Sequence, residues 1–408
     1  MKFASVASRQ RSAVKASADI VRQIRTRWAH EIESPDLVMF FATPEFTRST
    51  DRIITTLQNA WPDALILSST AAGILHPNTR PSARPGIVAV AASLPNVLLA
   101  PFSMDIDDFK QSPVGLENWQ SLLEGVPDPQ LIIIFADPFT SPIREVLDSL
   151  QILAPGVPVI GGLASGARRP GGHLLTSGED KQRTGLIGVA LSGNLRADVL
   201  VSQGCRPIGI VHEITKTKGN VILELNGDPA MDALQEMVNT LSNDERQQIQ
   251  EGLMIGQAID HASKEYNRGD FLIRPVIGVD HKSGSIALAG EINNGHRIRF
   301  HVWDDSLTDD LQLLLVPQIW DEPAAGGFLF GSWPRTSGRQ SRLGISIRQI
   351  TQSLGNSVPI GGFFSAGEIA PLRGLNYLHM HSATLTLLRP AVRESRTSSL
   401  KSLSERMN

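Results

Sequence analysis

The sequence predicts a mixed α/β protein, on three observations. A strand–helix–strand pattern recurs three times, clusters of strand-like segments separate the recurrences, and the apolar content is that of a globular chain. The chain has 408 residues, of which 41% are hydrophobic and 19% charged, enough for two or three domains with sizeable cores. We read two related halves, each with mixed sheets flanked by helices and strand–helix–strand units ending in Gly/Ser. Residues 1–17 read as a loose start, 18–215 and 216–390 as the two domains, and 391–408 as a polar, basic, disordered tail. The boundary is placed near 212–222, where HEITKTKGN loses apolar character.

The elements follow in order. Ile20, Val21, Ile24, Trp28 and Ile32 recur at helical spacing, so an amphipathic helix opens the fold. LVMFFATP is a buried strand and a turn; Ser49 or Thr50 then caps a helix with Ile53, Ile54, Leu57 and Trp61 as its stripe. ALILSSTAAG closes the unit. LIIIFADPFTSPIREVLDSLQILAPGVPVIGGLASG repeats the order, and GGFLFGSWPRTSGRQSRLGISIRQITQSLGNSVPIGGFFSAG repeats it again. From the strand phenylalanines Phe41, Phe135 and Phe330, a proline follows at offsets of 3, 3 and 4, and the closing Gly73, Gly166 and Gly367 at 32, 31 and 37. Strand-like segments lie between: GIVAVAASL and NVLLAPFSM; then TGLIGVALSG and ADVLVSQGC, read as a pair around Gly193-Asn194. VILELNG leads into a helix over 229–241, the loop NTLSNDERQQ reads as a solvated face, and FLIRPVIGVD, GSIALAG and RIRFHVW as strands before the third unit. WDDSLTDDL reads as a helix start, with acids at the positive dipole end.

Several function classes are excluded or disfavoured. A net charge of -3 and pI near 6.4, with no basic block in the middle of the chain, argue against nucleic acid. The single Cys205 excludes an intramolecular disulfide and fits a reducing compartment. No apolar run spans a bilayer and the basic N-terminus lacks a secretory apolar core, so a cytoplasmic protein without a membrane partner is expected. No GxSxG elbow, Walker A loop, HExxH or dinucleotide fingerprint is present, and no catalytic residue is assigned.

The chemistry concentrates at the unit ends. Strands ending in glycine and serine let backbone approach closely, either a ligand or another strand, and exposed N–H groups there can seat an anion. The candidates are Ser69 and Thr70; Gly161, Gly162 and Ser165; and Gly361, Gly362, Phe364, Ser365, Gly367 and Glu368. The last group could take a small zwitterion, its N–H groups on the carboxylate and Glu368 on the amine. The alternative is tight sheet packing with Glu368 capping a turn. Arg206 beside Cys205 would lower a thiol pKa, against the commoner buried, inert cysteine. His379 and His381, two apart on an expected strand, would share a face, which is too little for a metal site.

These residues resemble the FIST-domain family. VILELNGDPAMDAL is similar to the start of its C-terminal domain, GGFFSAGEIAP to that domain's most recognisable motif, and GCRPIG with the following ITK to the junction of its halves. SSTAAGIL and PVIGGLASG are similar to stretches of its N-terminal domain. The resemblance covers roughly residues 15–390. It implies a sensory module for small ligands, with amino acids as candidates, in bacterial signalling; some members resemble haem-binding gas sensors. Cys205, Arg206, Asn226, Arg335, Ser365 and Glu368 carry over as ligand or structural positions. Ser332 stands where members often carry cysteine, and Thr336 replaces a glycine after Arg335, so any thiol function there is in doubt.

The expectation is therefore a small-molecule sensor without a resident cofactor, its pocket built from Gly/Ser strand ends and its output passed to a separate signalling protein. The alternatives are a haem gas sensor through His173, His212, His379 or His381, an enzyme using Cys205 as nucleophile, or a ligand-free scaffold.

Overall fold

A computed structural model describes residues 1–391 except 30, 33, 80–84, 112–122, 124, 179, 264, 305, 320–322 and 333–344. The expected tail from 392 on, with Arg335 and Thr336, lies outside the described residues. The mixed α/β class holds.

Each of the three sequence repeats is a parallel strand pair crossed by a helix. Leu37–Ala42 pairs with Leu65–Thr70, Pro129–Ala136 with Val159–Leu163, and Gly326–Ser332 with Ile360–Ser365. Parallel neighbours need a long crossover, and the helices Thr50–Ala60, Ile143–Leu153 and Ile347–Ser353 lie within the connections. On its other side each first strand takes an antiparallel neighbour: Ile87–Ser93, Leu186–Gly193 or Ala383–Arg389. An outer strand follows in each sheet: Lys2–Ser8, Val97–Met104 or Arg196–Ser202. The first strands read as unbroken apolar runs because both their faces are covered; all six residues of Leu37–Ala42 are buried.

The three sheets exchange strands in a cycle. After the first unit, Ile74–Leu75 joins the third sheet against Phe363 and Gly362. After the second, Leu175–Ser177 joins the first sheet beside Leu65–Thr70. After the third, Glu368–Leu372 joins the second sheet against Gly162 and Gly161. At the centre the three repeat phenylalanines meet edge to face. Ring centroids are 5.2 Å apart for Phe41–Phe135, 6.0 Å for Phe41–Phe330 and 5.8 Å for Phe135–Phe330. Phe363 stacks on Phe41 at 4.5 Å.

Asp180–Gln182 and Leu375–His379 extend the first and second sheets, and a separate body of strands is inserted between Arg196–Ser202 and helix Leu307–Ile319. Cys205–Lys218, Arg297–Trp303, Leu253–Ala258, Phe271–Asp280, Ser285–Leu288 and Val221–Leu225 are neighbours in that order. Val221–Leu225 pairs back onto Cys205–Lys218, so six antiparallel strands close into a barrel, which removes free sheet edges. Ile214, Ile222, Ile286, Ile298 and Phe300 fill it, with Leu234 and Met237 of helix Ala230–Thr240.

Four expectations are corrected. Residues 1–17 are not loose: Lys2–Ser8 is a strand and helix Ala13–Trp28 follows, because small residues let KFASVAS lie against the third unit, Ser5 Oγ donating to Ile360 O at 2.8 Å. No boundary falls at 215/216, where Cys205–Lys218 runs through unbroken. Its polar residues Glu213, Thr215, Lys216 and Lys218 are exposed around the buried Ile214, so their density marks the solvent side of a strand and not a linker. The segments around Gly193-Asn194 do not pair with each other; Leu186–Gly193 belongs to the second sheet and Arg196–Ser202 to the third. NTLSNDERQQ is solvated, as expected, but it is not a loop throughout: helix Asn243–Glu251 starts within it, opened by a Ser242–Glu245 capping box.

Candidate functional site

The Gly/Ser unit ends do converge, and they bind one another. Ser165 N donates to Thr70 O at 3.1 Å, Phe364 N to Gly73 O at 3.0 Å, Leu163 N to Gly367 O at 2.8 Å and Ala366 N to Leu163 O at 3.0 Å. Ser165 Oγ accepts from Ala72 N at 2.7 Å and donates to Phe364 O. Thr70 Oγ1 accepts from Leu174 N at 2.9 Å, and the Ser69 hydroxyl donates to Thr70 O. The glycines serve strand contact here. A Cβ at Gly161 would lie 1.9 Å from Ile134 O, at Gly362 1.8 Å from Leu329 O, at Gly361 2.6 Å from Ser5 Oγ, and at Gly162 2.9 Å from Ser365 Cβ.

Glu368 is the polar knot of this region. It has no exposed surface. Ser332 Oγ donates to its oxygens at 3.1 and 2.9 Å, Ser365 Oγ at 2.5 Å, Ser382 N at 3.1 Å and Ser382 Oγ at 2.6 Å. Burial pushes the carboxyl pKa above its ordinary value, and the serine hydrogen bonds oppose that rise. Ser332 therefore makes a strong hydroxyl bond where a cysteine could make only a weak one. A ligand amine would have to displace one of these serines to reach Glu368.

Ser332 has equivalents at the same offset of two from the other repeat phenylalanines, Thr43 and Asp137. Thr43 Oγ1 accepts from Gly86 N at 3.0 Å. Asp137 accepts from Thr140 Oγ1 at 2.7 Å and pairs with His173 Nδ1 at 2.8 Å, while His173 Nε2 accepts from Ala167 N at 3.1 Å. Sequence reasoning missed this buried Asp137–His173 pair; the repeated polar position was the available signal.

The other candidates lie apart. Cys205 is buried, and burial raises its thiol pKa despite the nearby Arg268 cation, so it stays a protonated thiol. Arg206 points away to Glu245 at 3.3 Å and Gln248 at 2.9 Å; the expected activation fails because successive strand residues face opposite sides. Asn226, with φ 54°, turns the Asn226-Gly227 hairpin and accepts from Glu213 N at 2.8 Å. His379 ends its strand, buried, with Nε2 bonded to Ala370 O at 3.1 Å. His381 has φ 63° in a bend beyond it, its ring 4.6 Å from Trp303. The two histidines thus do not share a strand face. His212 lies beside Phe300, its rings 5.7 Å apart. Among the described residues no group of three or more His, Cys, Asp or Glu could hold a metal ion.

A cavity of about 200 Å³ opens where the chain crosses between core and barrel. Ser202, Gln203 and Cys205 line it from the outward crossing, Asp310 and Leu314 from the return, and Arg268 from the barrel. Arg268 bonds Asp304 at 3.1 Å and Asp310 at 3.0 Å, and Ser202 Oγ donates to Asp310 at 2.9 Å. One guanidinium thus meets two carboxylates, and Leu313, Leu314 and Ile273 are also in the cavity lining. Asp310 does sit in a helix first turn, as WDDSLTDDL predicts. Its second role was hidden because Arg268 lies 42 positions away (310 − 268).

Three sheets built on parallel pairs, with an antiparallel body between, define a two-domain mixed α/β module. The chain belongs to the FIST family: the FIST N domain matches residues 36–228 and the FIST C domain 230–371, meeting inside the barrel. An uncharacterised protein of Mycobacterium tuberculosis is 36% identical over 263 residues, 63% of this chain and 67% of its own length. One of Mycobacterium bovis is 32% identical over 380 residues, 91% of this chain and 95% of its own. FIST domains are associated with sensory signal transduction. Among the described residues no helix is long and apolar enough to cross a membrane.

Proposed function

We propose that this chain is a cytoplasmic sensory module for a small, amino-acid-like ligand, bound in the cavity at the double crossing between core and barrel. One observation carries the reading: both crossings line a single cavity whose wall combines the Arg268 guanidinium and the Asp310 carboxylate with the apolar side chains of Ile273, Leu313 and Leu314. A zwitterion fits that lining, its carboxylate on Arg268 and its amine on Asp310. About 200 Å³ is below the usual range for drug-sized molecules, roughly 300–1,000 Å³, and suits a ligand of amino-acid size. Occupancy would bias the orientation of the barrel against the core, a change that a separate signalling protein can read. The reading needs no resident cofactor. The woven strand ends, in this account, hold the core rigid so that the crossing is where movement occurs.

Thermal unfolding against the twenty free amino acids tests it. A ligand specific to the native state stabilises by about 2.7 kcal/mol at a hundredfold excess over Kd. We expect one chemical class to raise Tm, and Arg268→Ala to remove the shift while the protein stays folded. No shift with any amino acid, or the same shift in Arg268→Ala, contradicts the reading.

A further inference from the structure

A second charged cluster lies elsewhere on the junction of core and barrel, and it has the opposite balance. Arg274, on barrel strand Phe271–Asp280, is only 8% exposed, and its Nη1 donates to Leu378 O at 3.1 Å. Arg144 approaches from the core, as the second residue of helix Ile143–Leu153. Both guanidinium groups reach the same point. A Cβ on Gly290 would lie 2.9 and 3.4 Å from the two terminal nitrogens of Arg144 and 3.4 Å from Arg274 Nε. Gly290 has φ +136°, so position 290 is both conformationally restricted and kept clear of side chain. Tyr377 is close enough to act electrostatically on Arg274.

Two like charges meeting in a partly buried place are unfavourable unless something compensates them. The repulsion is visible in Arg274, whose pKa is drawn down to about 10 by burial first and by Arg144 next. Among the described residues no carboxylate forms an ion pair with either arginine. Asp148 feels Arg144, Glu145 and Glu291 at a distance, but none of these acids is bonded to the arginines. Among the described residues, then, no bonded carboxylate compensates the pair; Asp148 acts on Arg144 only electrostatically.

We propose that Arg144 and Arg274 form a seat for a tetrahedral oxyanion of the phosphate class, bound between core and barrel over Gly290. Guanidinium groups offer paired donors that match oxyanion geometry. Two of them arriving from different elements, with the Tyr377 phenol beside them, suit an anion with three or more acceptor oxygens better than a flat carboxylate. Because one arginine belongs to the core and the other to the barrel, the anion would also tie the two bodies together. This seat is separate from the crossing cavity and does not depend on what binds there.

The test is thermal unfolding of the full chain in inorganic phosphate, in acetate and in chloride at matched ionic strength, with Arg144→Gln alongside. Phosphate strengthens burial generally, so saturation and the variant decide the matter. We expect a saturable, phosphate-specific rise in Tm for the wild type. Arg144→Gln should melt at or above the wild type in chloride, its repulsion relieved, and bind phosphate roughly tenfold or more weakly. A wild-type response to phosphate no larger than to chloride, or unchanged phosphate affinity in Arg144→Gln, overturns the seat. An equal response to acetate overturns the phosphate class.

Discussion

Glu368 shows at the scale of one residue how a charge-bearing side chain becomes a structural part. Its carboxyl joins the ends of three strand segments through Ser332, Ser365 and Ser382, at the cost of being harder to ionise. Its pKa in the folded state is raised above the ordinary 4.5. Below that ordinary value both folded and unfolded chains hold the proton, and the contribution to stability is fully present. As pH rises the unfolded chain releases its proton first, and stability is lost until the folded pKa is passed. Glu368→Gln, which cannot ionise, escapes this loss. Denaturant unfolding across pH 4 to 8 should find the variant gaining on the wild type as pH rises; parallel curves would show that the carboxyl titrates normally. Cys205 makes the converse point. Its neighbour in sequence is Arg206, but the charges that reach it are Arg268, Asp304 and Asp310.

At the scale of elements, the three strand–helix–strand units act through their phenylalanines. Each of Phe41, Phe135 and Phe330 is buried against the other two. Removing the Phe135 ring breaks its edge-to-face contacts with Phe41, Phe330 and Phe363 and leaves a cavity among three sheets, so Phe135→Ala should cost about 3–5 kcal/mol. The double variant Phe41→Ala/Phe135→Ala should lose less than the sum of the singles, because they share a contact. Strict additivity in urea unfolding would deny the cluster. The units and these phenylalanines were legible because their signals are local: an apolar run, a proline, a helical stripe, a closing glycine. The strand exchange was not, since two-residue Ile74–Leu75 and three-residue Leu175–Ser177 carry no periodicity of their own. Barrel closure was equally hidden, because the pairing of Val221–Leu225 with both Ser285–Leu288 and Cys205–Lys218 depends on register across distant segments. The candidate strand ends were found, yet their glycines turned out to meet strands; a missing Cβ looks the same in sequence whichever partner occupies the space.

The whole molecule is a threefold core carrying a closed barrel on two crossings, and this division underlies the proposed function. The core is stitched by exchanged strands and by the hydrogen bonds among its unit ends. The crossings carry Gly204, with φ +56°, on the way out and the Asp304–Arg268–Asp310 cluster on the way back. Ligand-driven change should therefore be concentrated there. Amide hydrogen exchange measured with and without a mixture of the twenty amino acids locates that change. Residues 201–206, 303, 304 and 306–310 should slow together on addition, while the central strands around Phe41, Phe135 and Phe330 stay unchanged. Protection confined to residues 361–368, with both crossings exchanging as before, would contradict it and return the ligand to the strand ends.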